Sequence, residues 1–444
     1  MKINKLGNIL LIIFVLLLII NVVSAEDNSM VEADNGKLMI NGVSDSSLSI
    51  DKGAKLGATD SQQTLQAGEV GNYTELQSLV DSNYGGVLIL NKDYAYSSSD
   101  LIKNITISNS ITIIGNGHTI SGENQAMAFH IPSASKVTLK NITFVNGKDN
   151  SMVWIKGKLC SIENCTFKDY TGSTYGPLRI DGPGNKVINS IFRDNNATWG
   201  GAVWLNSYYN YIINCTFENN SANGNYGGAI YLNGYYNYIY NSTFRNNKKA
   251  YQGGAIYIQN YHNLIQNCTF KDNDASSDYG YYPASGGAIY SYHKETTINN
   301  CTFENNHATF AGAVHMDYIN SVINNSIFNH NSAGFAGAVY LGSDADNNIV
   351  NNSKFNENFL TSSQNGGALY VDGDNVKILN SEFNKNHAYD GGAIYWNGVN
   401  GTVKGSKFNE NSAQNKGGAI EWQAVNGTVE SSEFKKIMQN MPVQ

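Results

Sequence analysis

Charge is scarce in this chain: Asp, Glu, Lys and Arg make up 15% of its 444 residues, and Arg179, Arg193 and Arg245 are the three arginines. At a net charge of −7 there is no basic stripe to neutralise phosphates, which excludes nucleic acid as a partner. Apolar runs are as scarce. One extends from Ile9 to Ile20, shorter than the ~20 apolar residues of a membrane-spanning helix, and no second follows. Behind Lys2 and Lys5 and ahead of Val23-Ser24-Ala25, it reads as a cleaved secretion signal over residues 1–25. The mature chain is therefore expected to be soluble, with no membrane span. Asn, Gly, Ser and Tyr supply the polarity that charge does not, a balance suited to a large β-protein exposed outside the cell.

What the chain has in quantity is repetition. Gly227 to Asn247 reads GGAIYLNGYYNYIYNSTFRNN, and Gly253 to Asn273 reads GGAIYIQNYHNLIQNCTFKDN. The second glycine of each GG or AG pair recurs at Gly201, Gly228, Gly254, Gly287, Gly312, Gly337, Gly367, Gly392 and Gly418, with Gly176 as a weaker member. A phenylalanine follows 16 residues later in every copy except Gly337 to Phe355, where the gap is 18. From phenylalanine to the next glycine the distance varies from 9 to 17. A period near 25 with its slack in one place describes a solenoid coil with one elastic loop.

From Phe167 to Phe434, the residue five before each Phe is Ile or Val, and the residue two before is Cys or Ser. Three before is Asn in nine of eleven copies. Apolar positions alternate after GGA, as in Ile230 and Leu232, which means strand and not helix. Each coil thus offers three short strands, typified by GAIYL, NYIY and CTF. The Asn at the second bend suits a left-handed backbone and would form a hydrogen-bonding ladder from coil to coil. Cys165, Cys215, Cys268 and Cys301 fall in the inward slot of the CTF strand, where a small core residue is expected in place of a disulfide; Cys268 and Cys301 alone lie on adjacent coils. Cys160 stands outside this column.

Residues 26–70 lack periodicity and read as a polar linker. Residues 71–143 read as an N-terminal cap and the first coils, with a capping box at Thr74-Glu75-Leu76-Gln77 and Leu76, Leu79 and Val80 on one helical face. Regular repeats occupy 144–434. Residues 435–444 form an irregular tail, in which Ile437 stands where nine preceding copies have Asn three after Phe, so the chain reads as an incomplete array.

NYTELQSLV, LILNKDYAY, ITISNSITIIGNGHTISG and KVTLKNITFVNG, followed by the GGAIY/NCTF coils, resemble the adhesin-like surface proteins of methane-producing archaea. The coils are similar to the GGAI and FxxN repeats of chlamydial polymorphic membrane proteins. The resemblance spans roughly residues 70–434 and implies an all-β, right-handed, single-stranded parallel β-helix displayed at the cell surface. It implies adhesion and no catalytic residues.

If Ile230 and Leu232 face inward, Tyr231 faces outward, and the same column contains Trp204, Tyr257, Tyr290, His315, Tyr340, Tyr370 and Tyr395. At about 4.8 Å per coil, this aromatic stripe is either a platform for a glycan or a ladder stacked for stability. Tyr208, Tyr209, Tyr211, Tyr235, Tyr236 and Tyr238 cluster at the first bend, and Tyr279, Tyr281 and Tyr282 lie on the longest elastic loop. Asp344, Asp346, Asp372 and Asp374 on neighbouring coils are the one candidate Ca²⁺ set; no other cofactor is expected. An enzymatic alternative, a polysaccharide lyase or glycoside hydrolase on a pectate-lyase-like β-helix, would need carboxylates across a sugar. Arg179 and Asp181 beside Trp204 are its best local candidate and read more simply as a salt pair. Asn72, Asn196, Asn400 and Asn426 are the sequons expected to be open to glycosylation, whereas Asn214, Asn267 and Asn300 are expected to be inaccessible in the ladder. The partner expected is an extracellular glycan, a cell-wall polymer or the surface of another cell; a passive envelope rod is the remaining alternative.

Overall fold

The computed structural model describes residues 69–148, 151–276 and 283–439, with the backbone of two short antiparallel strands, Ala33–Asp34 and Lys37–Leu38. The segment expected to be a secretion signal and most of the expected linker lie outside the described residues. The chain divides into two units, residues 1–65 and 66–444, and the larger is a parallel β-solenoid. Three sheets of 14, 13 and 14 strands run its length, each strand hydrogen-bonded to its equivalents one coil before and one coil after. Among the described residues no helix is long and apolar enough to cross a membrane.

The three strands per coil fall where the repeat predicts them: Ile230–Leu232, Tyr238–Tyr240 and Thr243–Arg245 in one coil. Register is exact in type, with Ile230 opposite Ile256, Ile239 opposite Ile265 and Phe244 opposite Phe270. Identical inward side chains therefore stack. From Phe167 to Phe434 the phenylalanine rings lie 4.6 to 4.8 Å apart and within 6° of parallel.

The glycine pair has a steric cause. A Cβ on Gly228 would sit 2.0 Å from the Gly254 carbonyl oxygen of the next coil, so the second glycine leaves no room for a side chain. The first glycine, as at Gly227 and Gly253, holds φ near +68° and +69°, a left-handed conformation that glycine enters without strain.

Four expectations are corrected. The helix is Tyr73–Ser82, and its cap is Asn72, whose side chain accepts from the Glu75 N–H; Thr74 instead donates to Asp100. Tyr73, Leu76 and Val80 are buried in the core of the first coils, and Leu79 only partly. Second, the elastic loop is not irregular throughout. Its pieces, including His307–Phe310, Ser332–Phe335 and His387–Asp390, pair into a fourth sheet of seven strands.

Third, the asparagines form more than one ladder. The Asn three before each Phe is left-handed as expected, with φ between 48° and 56° from Asn164 to Asn380, and its side chains do link, as in Asn352 Nδ2 to Asn325 Oδ1 at 2.6 Å. This ladder is exposed, however, so Asn214, Asn267 and Asn300 lie at the surface. A longer ladder is buried, the Asn three after Phe in nine coils from Asn195 to Asn411, and a shorter buried one runs through Asn185, Asn210, Asn237 and Asn263. Asn331 Nδ2 donates to the Phe303 carbonyl at 3.0 Å and to Asn358 Oδ1 at 3.0 Å, while its own Oδ1 accepts from the Asn306 N–H and side chain. Fourth, Ala229, which the alternation would turn outward with Tyr231, is fully buried.

All five cysteines are free and buried, Cys268 and Cys301 included. Burial pushes the thiols of Cys165 and Cys215 up to about 12.

Two outcomes follow. Asn331→Ala strands buried partners on both neighbouring coils and should cost about 3 kcal/mol in denaturant unfolding, against about 1 kcal/mol for Asn325→Ala at the exposed corner; equal losses would contradict the distinction. A thiol reagent should label the folded protein negligibly and the unfolded protein fully; rapid labelling of native Cys215 would place that side chain outside the core.

Candidate functional site

The outward aromatic column lies on the outer face of the GGA sheet and is continuous. Trp204 stacks on Tyr231 at 4.4 Å, Tyr231 on Tyr257 at 5.1 Å and Tyr257 on Tyr290 at 5.5 Å. His315, Tyr340, Tyr370 and Tyr395 extend it at 4.5 to 5.6 Å. From Trp204 to Tyr290, and again between Tyr370 and Tyr395, neighbouring rings largely cover one another's faces and present edges and hydroxyls outward; around His315 the rings are instead tilted by 52° to Tyr290 and 88° to Tyr340. A sugar stacked flat on these rings, as an open platform would allow, has no face to stack on.

Nor is the stripe open. Tyr231, Tyr257, Tyr290 and Tyr370 are only 6, 4, 5 and 7% exposed, while Trp204, Tyr340 and Tyr395 are half-buried. The cover comes from aromatics just before the glycine pairs, which fold back over the sheet. Trp199 packs against Tyr231 at 5.4 Å, Tyr226 against Tyr257 at 4.6 Å, and Phe335 against Tyr370 at 4.3 Å. Burial raises the phenol pKa throughout: Tyr231 is pushed up to about 12, and Tyr257, Tyr290 and Tyr340 higher still.

One stretch of the cover opens into a cleft of about 430 Å³, lined by Tyr226, Tyr251, Gln252, Tyr257, Gln259 and Tyr292. Tyr226 and Gln252 pair as a bridge on one wall. Gln259 and Tyr292 lie two residues beyond the stripe positions Tyr257 and Tyr290, on the other wall. Tyr231 and Tyr257 donate to Gln259 Oε1 at 3.1 and 2.9 Å. That fixes the amide, leaving its Nε2 without a protein partner among the described residues. The position two beyond the stripe forms its own polar row: Asn233 Nδ2 donates to Asn206 Oδ1 at 2.6 Å, and Asn206 Nδ2 to Asp181 Oδ1 at 3.3 Å. This row was legible as Asp, Asn or Gln two residues after six of the eight stripe residues, Tyr290 and Tyr340 being the exceptions, a spacing the sequence reading did not follow.

Further along, His315 replaces tyrosine in the stripe and ties the row to the floor. Its Nε2 lies 2.6 Å from Asp317 Oδ1, its Nδ1 contacts Ser285 Oγ, and Tyr290 donates to Asp317 Oδ2. Burial opposes the ionised Asp317 carboxyl, but the hydrogen bond and charge of His315 and the bond from Tyr290 outweigh it and hold the carboxyl below the usual range. Ser285 is itself buried, so this chain of groups offers no accessible nucleophile. Tyr340 donates to Asp372 Oδ2 at 2.6 Å, and Asn397 Nδ2 to Asp372 Oδ1 at 2.9 Å. The outer face thus carries an acid pair, Asp317 and Asp372, which the sequence reading missed. Roughly 10 Å of stacked backbone separates them, and Asp317, held ionised, is unsuited to donate a proton to a leaving group.

The description "right handed beta helix region" matches residues 127–275 and 228–408, together more than half of the chain. The chain belongs to the right-handed β-helix family. Among solved structures this β-helix is similar to an alginate lyase in complex with a trisaccharide, at 13% identity and a TM-score of 0.51, covering 83% of this chain and 85% of the lyase. It is similar also to the tailspike of E. coli bacteriophage HK620 with a hexasaccharide, at 11% identity and a TM-score of 0.49, covering 78% and 68% of the two chains. A third is the catalytic domain of an α-1,3-glucanase with nigerose, at 14% identity and a TM-score of 0.42, covering 81% and 66%. No curated protein matches the sequence.

In this β-helix the remaining candidates are committed elsewhere. Arg179 Nε bonds Asp181 Oδ2 at 2.8 Å, and its guanidinium lies over the rings of Trp154 and Tyr175 at 4.4 and 4.2 Å. Asp181 also accepts from Trp154 Nε1 at 2.7 Å, so the two form a structural salt pair. The four candidate calcium ligands do not converge: Asp346 accepts the Asp374 N–H, Asp374 accepts the Val399 N–H, and Asp372 is held by Tyr340 and Asn397. Among the described residues no three His, Cys, Asp or Glu side chains group to hold a metal. At the first bend Tyr208 stacks on Tyr235 and Tyr235 on Tyr261, at 5.2 and 5.5 Å. Tyr209 stacks on Tyr236 and Tyr236 on His262, at 5.5 and 4.6 Å. Tyr279, Tyr281 and Tyr282 lie outside the described residues.

The buried phenols make the stripe sensitive to alkali. Free tyrosine ionises near pH 10, whereas Tyr231 holds its proton to about 12. Between those values the unfolded chain binds fewer protons, so stability falls as pH rises through this window and is unaffected below it. Spectrophotometric titration should show a class of phenols that ionises only with unfolding. Ionisation of all tyrosines near pH 10, with the fold intact, would contradict the covered stripe.

Proposed function

We propose that this β-helix is a secreted, surface-displayed, adhesin-like protein that binds a glycan in the cleft between Tyr226 and Tyr292. The observation that carries the proposal is the lining of that cleft, four tyrosines and two glutamines. Tilted aromatic walls offer apolar surface to the C–H face of a sugar ring, and oriented amides and phenols offer directed hydrogen bonds, the mixture found in small-molecule sites. An alginate lyase of like fold was solved with a trisaccharide, which accords with this reading; the side chains of this chain carry it. The resemblance to archaeal adhesin-like proteins supports display at the cell surface and a polymer or neighbouring cell as partner. The enzymatic alternative has less behind it, since Arg179 and Asp181 are occupied by each other and by the Trp154 ring, and Asp317 is held ionised.

The test is binding of purified residues 26–444 to a panel of cell-wall polysaccharides, with polymer length measured before and after. Saturable binding is expected, weakened by roughly tenfold in Tyr292→Ala and unchanged in Tyr209→Ala at the exposed bend, with the polymer recovered uncut. Equal binding by wild type and Tyr292→Ala would move the site away from the cleft. Shortened polymer would replace the adhesin reading with the enzymatic one.

A further inference from the structure

The lining of the cleft contains no charged side chain. Resting on the glycan reading above, we infer that the polymer it takes is uncharged and is excluded if it carries uronate carboxylates. Three observations converge on this class.

The first is the chemistry of the lining. Its polar groups are phenols and the amides of Gln252 and Gln259, groups that exchange single hydrogen bonds with hydroxyls. Recognition of a carboxylate in a partly desolvated site calls for a cation, most effectively an arginine fork. The arginine on this face, Arg179, is consumed by Asp181.

The second is the orientation of Gln259. With Oε1 occupied by the Tyr231 and Tyr257 hydroxyls, the amide presents its Nε2 donor to the ligand. The phenols hold it there, so the donor loses little freedom when a sugar oxygen arrives.

The third is the field along the groove. Toward the N-terminal coils the polar row continues as Asn233 and Asn206, neutral amides that extend the donor–acceptor edge over roughly 14 Å from Asn206 to Tyr292. One coil beyond Tyr292 stands Asp317, whose carboxyl is held ionised by His315 and Tyr290. A polyanion lying along the axis would find no unpaired cation in this row, where Asp317 already engages His315, and a net protein charge of −7 opposes its approach. A neutral chain meets neither cost.

Purified residues 26–444 are titrated with neutral polymers (laminarin, xylan, mannan) and with anionic polymers (alginate, polygalacturonate), in low salt and in about 0.5 M NaCl. At least one neutral polymer should bind saturably, with affinity changing less than about twofold between the two salts, and the anionic polymers should bind at least about tenfold more weakly. Gln259→Ala, checked for an unchanged unfolding midpoint, should lose roughly tenfold in affinity for that neutral polymer. Preferential, salt-sensitive binding of alginate or polygalacturonate would overturn the inference and leave glycan binding standing. Binding of neither class would overturn the glycan reading itself. Full affinity in Gln259→Ala would remove the amide from recognition and overturn the assignment of this site.

Discussion

The structure depends on one constraint: every coil must offer its backbone to the next in parallel and in register. Strand Ile256–Ile258, for example, pairs on one side with Ile230–Leu232 and on the other with Ile289–Ser291. Backbone spacing then fixes side-chain spacing, and any residue type repeated in one column must tolerate its own copy about 4.8 Å away. Phenylalanine tolerates it by stacking, and asparagine by donating to one neighbour and accepting from the other. Glycine is required where the carbonyl of the next coil comes within 2.0 Å of the place a Cβ would take. The low charge of the sequence follows from the same rule, since a column of like charges repels itself at this distance.

That rule also limits where function can sit. A repeated aromatic column on the outer face does not remain a free surface: its rings satisfy one another, and from Trp204 to Tyr290 the column spends its faces on the stack. Recognition then needs a place where the repeat is broken. The cleft is such a place. At that level Gln259 and Tyr292 succeed Asn206 and Asn233 in the row, and Tyr226 stands off the stripe on the opposite wall. The stability of the rod and the specificity of the site are therefore carried by different residues on the same sheet.

Most of the fold was legible because the columns of the repeat are physical positions. Ile at five before Phe, small residues at two before, alternation after GGA and left-handed Asn at three before Phe all occupy the places the spacing assigns. What escaped was written in the part of each coil whose length varies. Trp199, Tyr226, Phe310 and Phe335 each stand immediately before the glycine pair, but the same position holds Gln252, Ser285, Asn365, Asp390 and Lys416 in other coils, so no repeated residue type revealed that they fold over the stripe. The buried Asn ladder was visible as a count three after Phe and was set aside for the exposed one, because a left-handed turn is the more familiar use of asparagine. The helix cap was misplaced from Asn72 to Thr74 because Thr74 and Gln77 imitate a capping box, while the side chain of Asn72 is the one that accepts from the Glu75 N–H. The candidate site was least legible of all, since a cleft depends on which rings are missing from the cover.

The central claim, that the stripe is structural and the adjoining cleft is the recognition site, is tested most directly by a crystal structure of the protein with a neutral hexasaccharide. The account predicts saccharide density running along the solenoid axis between Tyr226 and Tyr292, with a sugar oxygen within hydrogen-bonding distance of Gln259 Nε2. Density stacked on the first-bend tyrosines Tyr208, Tyr235 and Tyr261 with an empty cleft, or stripe rings rotated out to meet the sugar, would contradict it.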